Sequence, residues 1–360
     1  MPPEISLVGV DCNIASINGL VNIGTHRLHV QVAGPPRKDD QDLIIFIHGT
    51  ASLLESYAAT VRALATKHRV LVFSRSGLGY SDPRPSTNDE PTPPTLDDIA
   101  IELSSLLSTL NLKPPFVLVG HSWGGMISTH CIANTSSGVN IPVRGLVILD
   151  GGAPTHTTTS PGPYNSFAED PGTPWAHPCV QQVIQGIVTF DRMNPLPKLA
   201  LNTTEHEALR HAMSRSQHAK GAQIEFQALF NSYTPFKAHG YLDASPTTIS
   251  SPTPILSPTI PLALVHCQAY LEFDSLIAEG LSRGNGTPSE RTDAQNLLKT
   301  WKEDTLANQR QFLRLQPDEK LRRASMAREG TTHNVHTQDP ASILGAVEWV
   351  LATRAELVGS

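Results

Sequence analysis

A serine between two glycines lies near the middle of the chain. Residues 116–125 read FVLVGHSWGG, so Ser122 stands two residues after Gly120 and two residues before Gly124. A G-x-S-x-G motif between a buried strand and a helix predicts a very tight turn with strained backbone angles. Such a turn lifts the serine hydroxyl to a helix N-terminus, where the backbone N–H of Trp123 can stabilise an oxyanion. Ser122 is therefore the candidate nucleophile.

A nucleophilic serine needs a base, and the sequence contains 15 histidines. Two candidates, His333 and His336, precede a helix that Asp339 and Pro340 are expected to open as N-cap and first residue. The base would accept the serine proton and later protonate the leaving group. A metal site at these two histidines lacks a Cys, Asp or Glu cluster to complete it. We therefore expect no metal ion and no other cofactor.

Strand and helix signals alternate along the chain. The predicted strands are 26–32, 43–47, 69–73, 116–119, 146–149, 261–267 and 323–327. The predicted helices are 56–67, one that begins after Thr95 with Asp98 completing a capping box, 178–191, 204–232, 288–314 and one that begins at Pro340. Buried strands joined by helices indicate right-handed βαβ units and a parallel sheet, which makes this an α/β fold.

The alternation stops after residue 152 and resumes near residue 261. Residues 153–258 contain no clear strand and end in a Pro/Ser/Thr-rich loop. We therefore predict an α/β core formed by residues 1–152 and 259–360, interrupted by a lid or cap formed by residues 153–258. An insert at the carboxyl edge of a parallel sheet lies above the place where such sheets bind ligands.

The chain resembles the α/β-hydrolase superfamily over almost its whole length, except for residues 1–20 and the insert. Besides the Ser122 motif, the resemblance rests on Ile47-His48-Gly49-Thr50, on Ser74-Arg-Ser-Gly-Leu-Gly-Tyr-Ser-Asp82, and on the segment from Thr332 to Pro340. Ser74 stands where the family usually has Asp, and Thr332 where it usually has Gly. The resemblance implies a mostly parallel central sheet flanked by helices, with a helical lid inserted after the sixth strand.

The resemblance also implies roles for particular residues. The backbone N–H groups of Thr50 and Trp123 would form the oxyanion hole, and the hydroxyl of Thr50 would add a further donor. His333 lies seven residues before Pro340, which is the family spacing between the catalytic histidine and a helix-opening proline. The resemblance therefore favours His333 over His336 as the base, and it implies a structural role for His48.

The carboxylate that should orient His333 is where the sequence departs from the family. Most members carry it directly after the strand that corresponds to 261–267, but here the first carboxylates after that strand are Glu272 and Asp274. Some lineages carry the acid one strand earlier, where this chain has Asp150 followed by two glycines. We predict Asp150 as the acid, with Glu272 and Asp274 as the alternatives.

A serine nucleophile with an oxyanion hole is typical of enzymes that hydrolyse an ester, lactone or similar acyl bond through an acyl-enzyme. Apolar side chains in the insert predict a small, fairly apolar substrate. The alternatives are a non-hydrolytic enzyme of this fold, catalysing cyclisation, elimination or C–C cleavage, and a receptor-like member that only binds ligand. A proline-releasing aminopeptidase would need insert carboxylates to hold an amine. The candidates for that role are Glu169, Asp170, Glu205, Glu207 and Glu225.

Composition argues against several other classes of protein. The 360 residues carry a formal net charge of −6, which gives no electrostatic footprint for nucleic acid. No apolar run reaches the roughly 18 residues expected of a transmembrane helix, and the N-terminus lacks the pattern of a signal peptide. The four cysteines are far apart in the sequence, which predicts free thiols rather than two disulfides, in a cytoplasmic protein. The sequence does not indicate an oligomeric state.

Overall fold

The computed structural model describes residues 2–38, 40–86, 91–133, 138–139, 141–152, 177–238 and 256–359. Its strands are β1 Ile17–Asn22, β2 Arg27–Ala33, β3 Leu43–Ile47, β4 Arg69–Phe73, β5 Phe116–His121, β6 Val143–Leu149, β7 Leu262–His266 and β8 Arg322–Met326. These strands form one sheet in the order β1-β2-β4-β3-β5-β6-β7-β8. The β1–β2 and β2–β4 pairs are antiparallel, and every other neighbouring pair in that sheet is parallel. The predicted mostly parallel sheet is confirmed.

Helices flank the sheet on both faces. They are α1 Ala58–Leu64, α2 Leu96–Thr109, α3 Trp123–Ile132, α4 Pro178–Val183, α5 Phe190–Met193, α6 Thr203–Met213, α7 Ser216–Ala238, α8 Tyr270–Arg283, α9 Pro288–Arg310, α10 Val335–Gln338 and α11 Pro340–Gly359. Short 3₁₀ turns occupy Leu54–Tyr57, Leu196–Lys198, Gln311–Leu315 and Glu319–Leu321. No helix within these described ranges has both the length and the apolar character needed to cross a bilayer.

The central strands are buried on both faces because their side chains alternate between two apolar layers. In β3, Ile45 and Ile47 point into the layer that α2 and α3 cover. Ile44 and Phe46 point into the opposite layer, which α1 and α11 cover. This two-layer burial explains why β3 and β4 appear in the sequence as uninterrupted apolar runs, and both strands have the predicted bounds.

Two local sequence signals predict the start of a helix correctly. Thr95 and Asp98 form the predicted capping box: the Thr95 hydroxyl accepts the Asp98 N–H at 3.1 Å, and the Asp98 carboxylate accepts the Thr95 N–H at 2.9 Å. The last helix begins at Pro340 as predicted. The predicted helix over 288–314 instead ends at Arg310, and a 3₁₀ turn follows. This turn directs Phe312, which is fully buried, into the core.

Strand β1 and helix α8 are among the elements that were not predicted. Strand β1 contains Gly19 and two asparagines, residue types that strands disfavour, so its pattern is weak. Helix α8 buries Phe273, Leu276, Ile277 and Gly280. That spacing is helical and was available in the sequence.

Four helices, α4 to α7, lie between β6 and β7. The predicted single helices over 178–191 and 204–232 are each two helices in the structure. No strand lies in the described part of this segment, which comprises residues 177–238 and 256–258. Residues 153–176 and 239–255, which include Glu169 and Asp170, lie outside the described residues. The division into a core and a separate lid stays a prediction.

All four cysteines are buried and free, as the sequence predicts. They are Cys12, Cys131, Cys179 and Cys267. Burial raises the pKa of the Cys131 thiol to about 12 and that of the Cys267 thiol well above its ordinary value. Both thiols are therefore held in their unreactive, protonated form.

Helix α3 lies so close to β3 that Gly124 has no room for a side chain. A Cβ atom at Gly124 would stand 2.0 Å from the carbonyl oxygen of Ile47. We expect Gly124→Ala to lower the free energy of unfolding by at least about 2 kcal/mol, because the obstacle is backbone rather than a movable side chain. Urea unfolding measures this change.

The matched control is Gly345→Ala in α11, where nothing lies within 4 Å of the added Cβ atom. This variant should be neutral or more stable by about 0.5–1 kcal/mol, because alanine favours the helical backbone. Equal stability of the two variants would contradict the close approach of α3 to β3.

Candidate active site

Ser122 occupies a strained turn between β5 and α3. Its backbone angles are φ 54° and ψ −123°, which a non-glycine residue rarely adopts. The Ser122 N–H donates to the carbonyl of Leu149 at 2.9 Å, and the Ser122 carbonyl accepts the N–H of Gly125 at 2.9 Å. These hydrogen bonds hold the turn against a strain of about 1–3 kcal/mol. The predicted nucleophile turn is therefore present in the structure.

Asp150 follows β6 directly and contacts His333, which lies just before α10. The His333 Nδ1–H donates to Asp150 Oδ2 at 2.6 Å. The other carboxylate oxygen, Oδ1, accepts the backbone N–H of Cys267 at 3.0 Å and the side-chain amide of Gln309 at 2.6 Å. Asp150 is buried, and these donors satisfy its carboxylate. The imidazole of His333 is thereby fixed in one orientation with Nε2 left for proton transfer.

Asp150 and His333 shift each other's pKa in the direction opposite to the shift that burial causes. Burial raises the pKa of Asp150, but the hydrogen bond and the charge of His333 outweigh it, so the pKa of Asp150 lies below its ordinary value. Burial lowers the pKa of His333, but the hydrogen bond and the charge of Asp150 outweigh it, so the pKa of His333 lies above its ordinary value. Asp150 therefore stays ionised and makes His333 a stronger base.

Ser122, His333 and Asp150 line one cavity of about 240 Å³. Thr50 and Trp123, the predicted oxyanion-hole residues, line the same cavity. An apolar part of the wall comes from the β6–β7 segment, α8 and α9. Its apolar members include Met193, Phe226, Leu229, Tyr233, Phe273 and Trp301. An apolar cavity with a few convergent polar groups is typical of a small-molecule site.

The two predicted oxyanion-hole residues, Thr50 and Trp123, both lie near Ser122. Trp123 is the first residue of α3, so its N–H is one of the helix donors without an intrahelical partner. Thr50 follows Gly49, and a Cβ atom built on Gly49 would lie 3.0 Å from the Cβ atom of Ser122. The hydroxyl oxygen of Thr50 is buried and has no hydrogen-bond partner among the described residues.

The other histidines near Ser122 hold the loops of the site together. His121 Nε2–H donates to the carbonyl of His333 at 2.8 Å. His48 Nδ1–H donates to the carbonyl of Gly49 at 3.1 Å, while His48 Nε2 accepts the N–H of Arg75 at 3.2 Å. Burial lowers the pKa of His121 and of His48 well below the ordinary value, so both rings stay neutral.

His336, the alternative base, has different surroundings from His333. Its ring stacks on Tyr57 with the ring centres 4.4 Å apart. Burial lowers the pKa of His336 to about 3, which makes it a weak base. Its Nδ1 atom is buried and has no hydrogen-bond partner in the described part of the chain. The geometry therefore favours His333.

A comparison with protein-family models identifies the family of this chain. The family model described as the α/β-hydrolase fold matches residues 42–251, which is more than half of the chain. The chain belongs to the α/β-hydrolase fold family. The resemblance seen in the sequence and the predicted fold class are thereby confirmed.

Two curated relatives of this α/β-hydrolase match only part of it. The "Probable transporter efuK" of Hormonema carpetanum is 36% identical over 111 residues, which are 31% of this chain and 15% of that protein. The "Cis-3-alkyl-4-alkyloxetan-2-one decarboxylase" of Shewanella oneidensis is 35% identical over 120 residues, which are 33% of this chain and 36% of that protein. The aligned part therefore spans well under half of the length of either relative.

Solved structures share the fold of this α/β-hydrolase across nearly its whole length. The enol-lactonase from Burkholderia xenovorans LB400 superposes with a TM-score of 0.53 at 13% sequence identity. The superposition covers 92% of this chain and 99% of the enol-lactonase. At this identity the likeness concerns the fold alone.

The three candidate acids differ in their contact with His333 and in their position relative to the cavity. Asp150 makes the hydrogen bond to His333 described above. Glu272 lines the cavity but forms no hydrogen bond with His333 among the described contacts. Asp274 is exposed on α8 and is not part of the cavity wall.

The insert carboxylates that the structure describes do not form an amine-binding cluster in the cavity. Glu225 pairs with Arg75, and Glu205 pairs with Arg62. Glu207 is exposed on α6. None of these three carboxylates lines the cavity.

Sequence reasoning missed Gln309, which lies in the last turn of α9. Besides donating to Asp150, its amide oxygen accepts the Nδ1–H of His266 at 2.7 Å. A glutamine in a polar helix carries no local signal for such a contact. The bond from His121 to the His333 carbonyl was also missed, because it joins segments far apart in the chain.

The two positions at which this α/β-hydrolase departs from the family pattern keep a hydrogen-bonding function. The Ser74 hydroxyl accepts the N–H of Leu54 at 3.0 Å and so holds the loop after β3. Thr332 exchanges two hydrogen bonds with the side chain of Gln338, at 2.8 and 2.9 Å. The Thr332 contact ties the His333 loop to α10.

Glu272 is a half-buried carboxyl group in the first turn of α8. Burial raises its pKa from 4.5 to about 7, although His333 and Arg192 act in the opposite direction. Between about pH 4.5 and pH 7 the folded protein therefore keeps a proton on Glu272 that the unfolded chain releases. By linkage, this group makes the free energy of unfolding fall as pH rises through that window.

We expect Glu272→Gln to lose this contribution, because an amide does not titrate. Its free energy of unfolding should fall less than that of the wild type between about pH 5 and about pH 7. Urea unfolding at both pH values measures the difference. The control is Asp274→Asn, which removes an exposed carboxylate from the same helix and should leave the wild-type pH dependence unchanged. Parallel behaviour of wild type and Glu272→Gln would contradict the raised pKa.

Proposed function

We propose that this protein is a serine hydrolase that cleaves an ester, lactone or similar acyl bond through an acyl-enzyme on Ser122. The observation that carries the proposal is the 2.6 Å hydrogen bond between His333 and the buried Asp150, in the cavity that Ser122 also lines. A nucleophile, a base and a group that orients the base are the parts that acyl transfer requires.

Each residue has one role in the proposed reaction. His333 Nε2 takes the Ser122 hydroxyl proton while the Ser122 oxygen bonds to the substrate carbonyl carbon. Asp150 stabilises the imidazolium that forms. The backbone N–H groups of Thr50 and Trp123 stabilise the oxyanion. The imidazolium then protonates the leaving group. In the second half of the reaction, His333 takes a proton from a water molecule whose oxygen bonds to the acyl carbon, and it returns that proton to the Ser122 oxygen as the acyl group leaves as an acid.

We propose a small, fairly apolar substrate and a lid formed by residues 153–258. The cavity of about 240 Å³ lies below the roughly 300–1,000 Å³ of pockets that hold drug-sized ligands. Met193 on α5 and Phe226, Leu229 and Tyr233 on α7 supply apolar parts of its wall. These helices belong to the β6–β7 segment, which supports a covering role for that segment.

A second candidate function is the non-hydrolytic breakdown of a strained lactone. The relative that is 35% identical over 120 residues is named as a decarboxylase of an oxetan-2-one, which is a four-membered lactone. Loss of CO₂ from such a ring belongs to the elimination reactions predicted as the alternative. The two candidates differ in product: hydrolysis of an oxetan-2-one gives a 3-hydroxy acid, and decarboxylation gives an alkene and CO₂.

Covalent labelling with a fluorophosphonate tests the proposed nucleophile. We expect one adduct on the wild type and none on Ser122→Ala or His333→Ala. Asp150→Asn should slow labelling by about 10³- to 10⁴-fold, because the asparagine no longer stabilises the imidazolium of His333. Intact-mass spectrometry measures the adduct.

The control is Ser52→Ala, because Ser52 also lines the cavity and should not take the label. A folded wild-type protein that takes no label would contradict an activated Ser122. It would favour the receptor-like alternative. Product analysis with a dialkyl oxetan-2-one then separates hydrolysis from decarboxylation in a protein that does label.

The unpartnered hydroxyl of Thr50 generates a separate prediction. If it donates to the oxyanion, Thr50→Val should lower kcat for an ester substrate by about 10²-fold with little change in KM, because the donor acts in the transition state. Thr50→Ser retains a hydroxyl and should keep most of the wild-type kcat. Equal kcat values for the valine and serine variants would exclude the hydroxyl as a donor.

A further inference from the structure

Arg75 and Glu225 form an ion pair outside the cavity that is almost fully shielded from water. Arg75 Nε donates to Glu225 Oε1 at 2.6 Å, and Arg75 Nη2 donates to Glu225 Oε2 at 2.8 Å. Both side chains are only 3% exposed. Removing two charges from water is costly, and apolar side chains of similar size often stabilise a fold as well. A contribution to stability alone is therefore a poor explanation of this pair.

The other side-chain hydrogen bonds described for the pair go to the backbone around Thr50. Arg75 donates to the carbonyl of His48 at 2.5 Å and to the carbonyl of Gly49 at 2.8 Å. Glu225 Oε2 accepts the N–H of Ala51 at 2.7 Å. The pair thus fixes the peptide groups on both sides of Thr50, including the Gly49–Thr50 peptide that carries the candidate oxyanion N–H.

The backbone of this loop needs such support. Ala51 has a φ of 57°, in the left-handed region that disfavours residues with a Cβ atom. The N–H that Glu225 accepts belongs to this strained residue. Without that acceptor, the loop would be free to relax toward ordinary angles and to turn the Thr50 N–H away from the cavity.

Glu225 lies on α7, and the position of α7 on the core is closely defined. Gly221 lies four residues before Glu225 and so shares its face of the helix. A Cβ atom on Gly221 would stand 2.3 Å from the carbonyl oxygen of Gly77, so the helix contacts the loop after β4 backbone to backbone. Arg75 belongs to the same loop. This contact places Glu225 within reach of Arg75 and Ala51.

The second candidate oxyanion residue is tied to the same helix. The Trp123 indole N–H donates to the Ser232 hydroxyl on α7 at 3.0 Å. The guanidinium of Arg75 lies 5.0 Å from the centre of a Trp123 ring, within cation–π distance. Both residues that would supply oxyanion N–H groups therefore depend on α7 and Arg75.

We propose that Arg75 and Glu225 are positioning residues that hold the Thr50 N–H toward the cavity. The oxyanion hole is then complete only while α7 is seated on the loop after β4, so a helix from the β6–β7 segment controls the reactivity of Ser122. This inference rests on the proposed serine-hydrolase function. The proposed function identifies Ser122 as the nucleophile, whereas this inference concerns the rate at which Ser122 forms its covalent bond.

The test measures fluorophosphonate labelling of the full chain at several probe concentrations. These data separate the maximal labelling rate, kinact, from the probe concentration that gives half of it, KI. The variants are Glu225→Gln and the double variant Arg75→Met/Glu225→Leu, which replaces both charges by apolar groups of similar size. We expect kinact to fall by about 10²-fold, as for a lost oxyanion donor, with KI changed by less than about twofold. The pH midpoint of kinact should stay at the wild-type value, because the His333–Asp150 pair is untouched.

The matched control removes another ion pair between the β6–β7 segment and the core. Arg62 on α1 donates to both carboxylate oxygens of Glu205 on α6, at 3.0 Å each, and no side-chain hydrogen bond described for either residue reaches residues 48–53. The control variant Arg62→Met/Glu205→Leu should keep the wild-type kinact. An equal loss of kinact in the control, or an unchanged kinact in both Glu225 variants, would overturn the proposal.

Amide hydrogen exchange of the peptide around residues 48–53 gives a second readout that needs no catalysis. We expect faster exchange there in Arg75→Met/Glu225→Leu than in the wild type or the control, because the leucine leaves the Ala51 N–H without its acceptor. Unchanged exchange would overturn the proposal. A wild type that takes no label overturns the proposed function instead, and the exchange comparison then still decides whether the pair holds the loop.

Discussion

The buried carboxylate of Asp150 is the group around which the candidate site is organised. A carboxylate away from water keeps its charge only if donors surround it, and here the donors are His333, the N–H of Cys267 and the amide of Gln309. Each donor belongs to a different element: the loop before α10, the end of β7 and the last turn of α9. One charge thus joins three parts of the fold and orients the base at the same time.

The parallel sheet brings the remaining groups to Asp150. Thr50, Ser122 and Asp150 follow β3, β5 and β6, and the carboxyl ends of parallel neighbours meet at one edge. Ser122 and Asp150 both have positive φ, at 54° and 44°. Each is held by a backbone hydrogen bond to the next strand, from Ser122 to Leu149 and from Asp150 to Val265. The neighbouring strands of the sheet therefore hold both strained turns in place.

The parts of this arrangement that the sequence predicts are those with short-range signals. The apolar runs of β3 and β4, the capping box of α2 and the turn at Ser122 each lie within about a dozen consecutive residues. The sequence favours Asp150 over Glu272 and Asp274 because Asp150 follows a strand, precedes two glycines and stands where some lineages of the family carry the acid. Its hydrogen bond to His333 agrees with that choice. The place of Glu272 in the cavity depends on α8, a helix that was not predicted.

The unpredicted parts depend on contacts between distant segments. Gln309 reaches Asp150 from a helix whose sequence looks merely polar and exposed. Glu225 was one of several insert carboxylates with nothing to distinguish it in the sequence. Its importance appears only when α7 is packed against the loop that contains Arg75. A single sequence shows which residues are present, but the tertiary packing determines which of them contact each other.

The order of the site residues along the chain has a consequence for the synthesis of the protein. Ser122 leaves the ribosome long before His333, which follows β8, the last of the sheet strands in chain order. Asp150 has no base to orient until then, and its Gln309 donor also arrives late. Under the proposed function, the Ser122 hydroxyl therefore has no base to activate it until the segment that follows β8 has been synthesised. The order of these residues along the chain therefore delays the reactivity of Ser122 until the later elements of the fold have been synthesised.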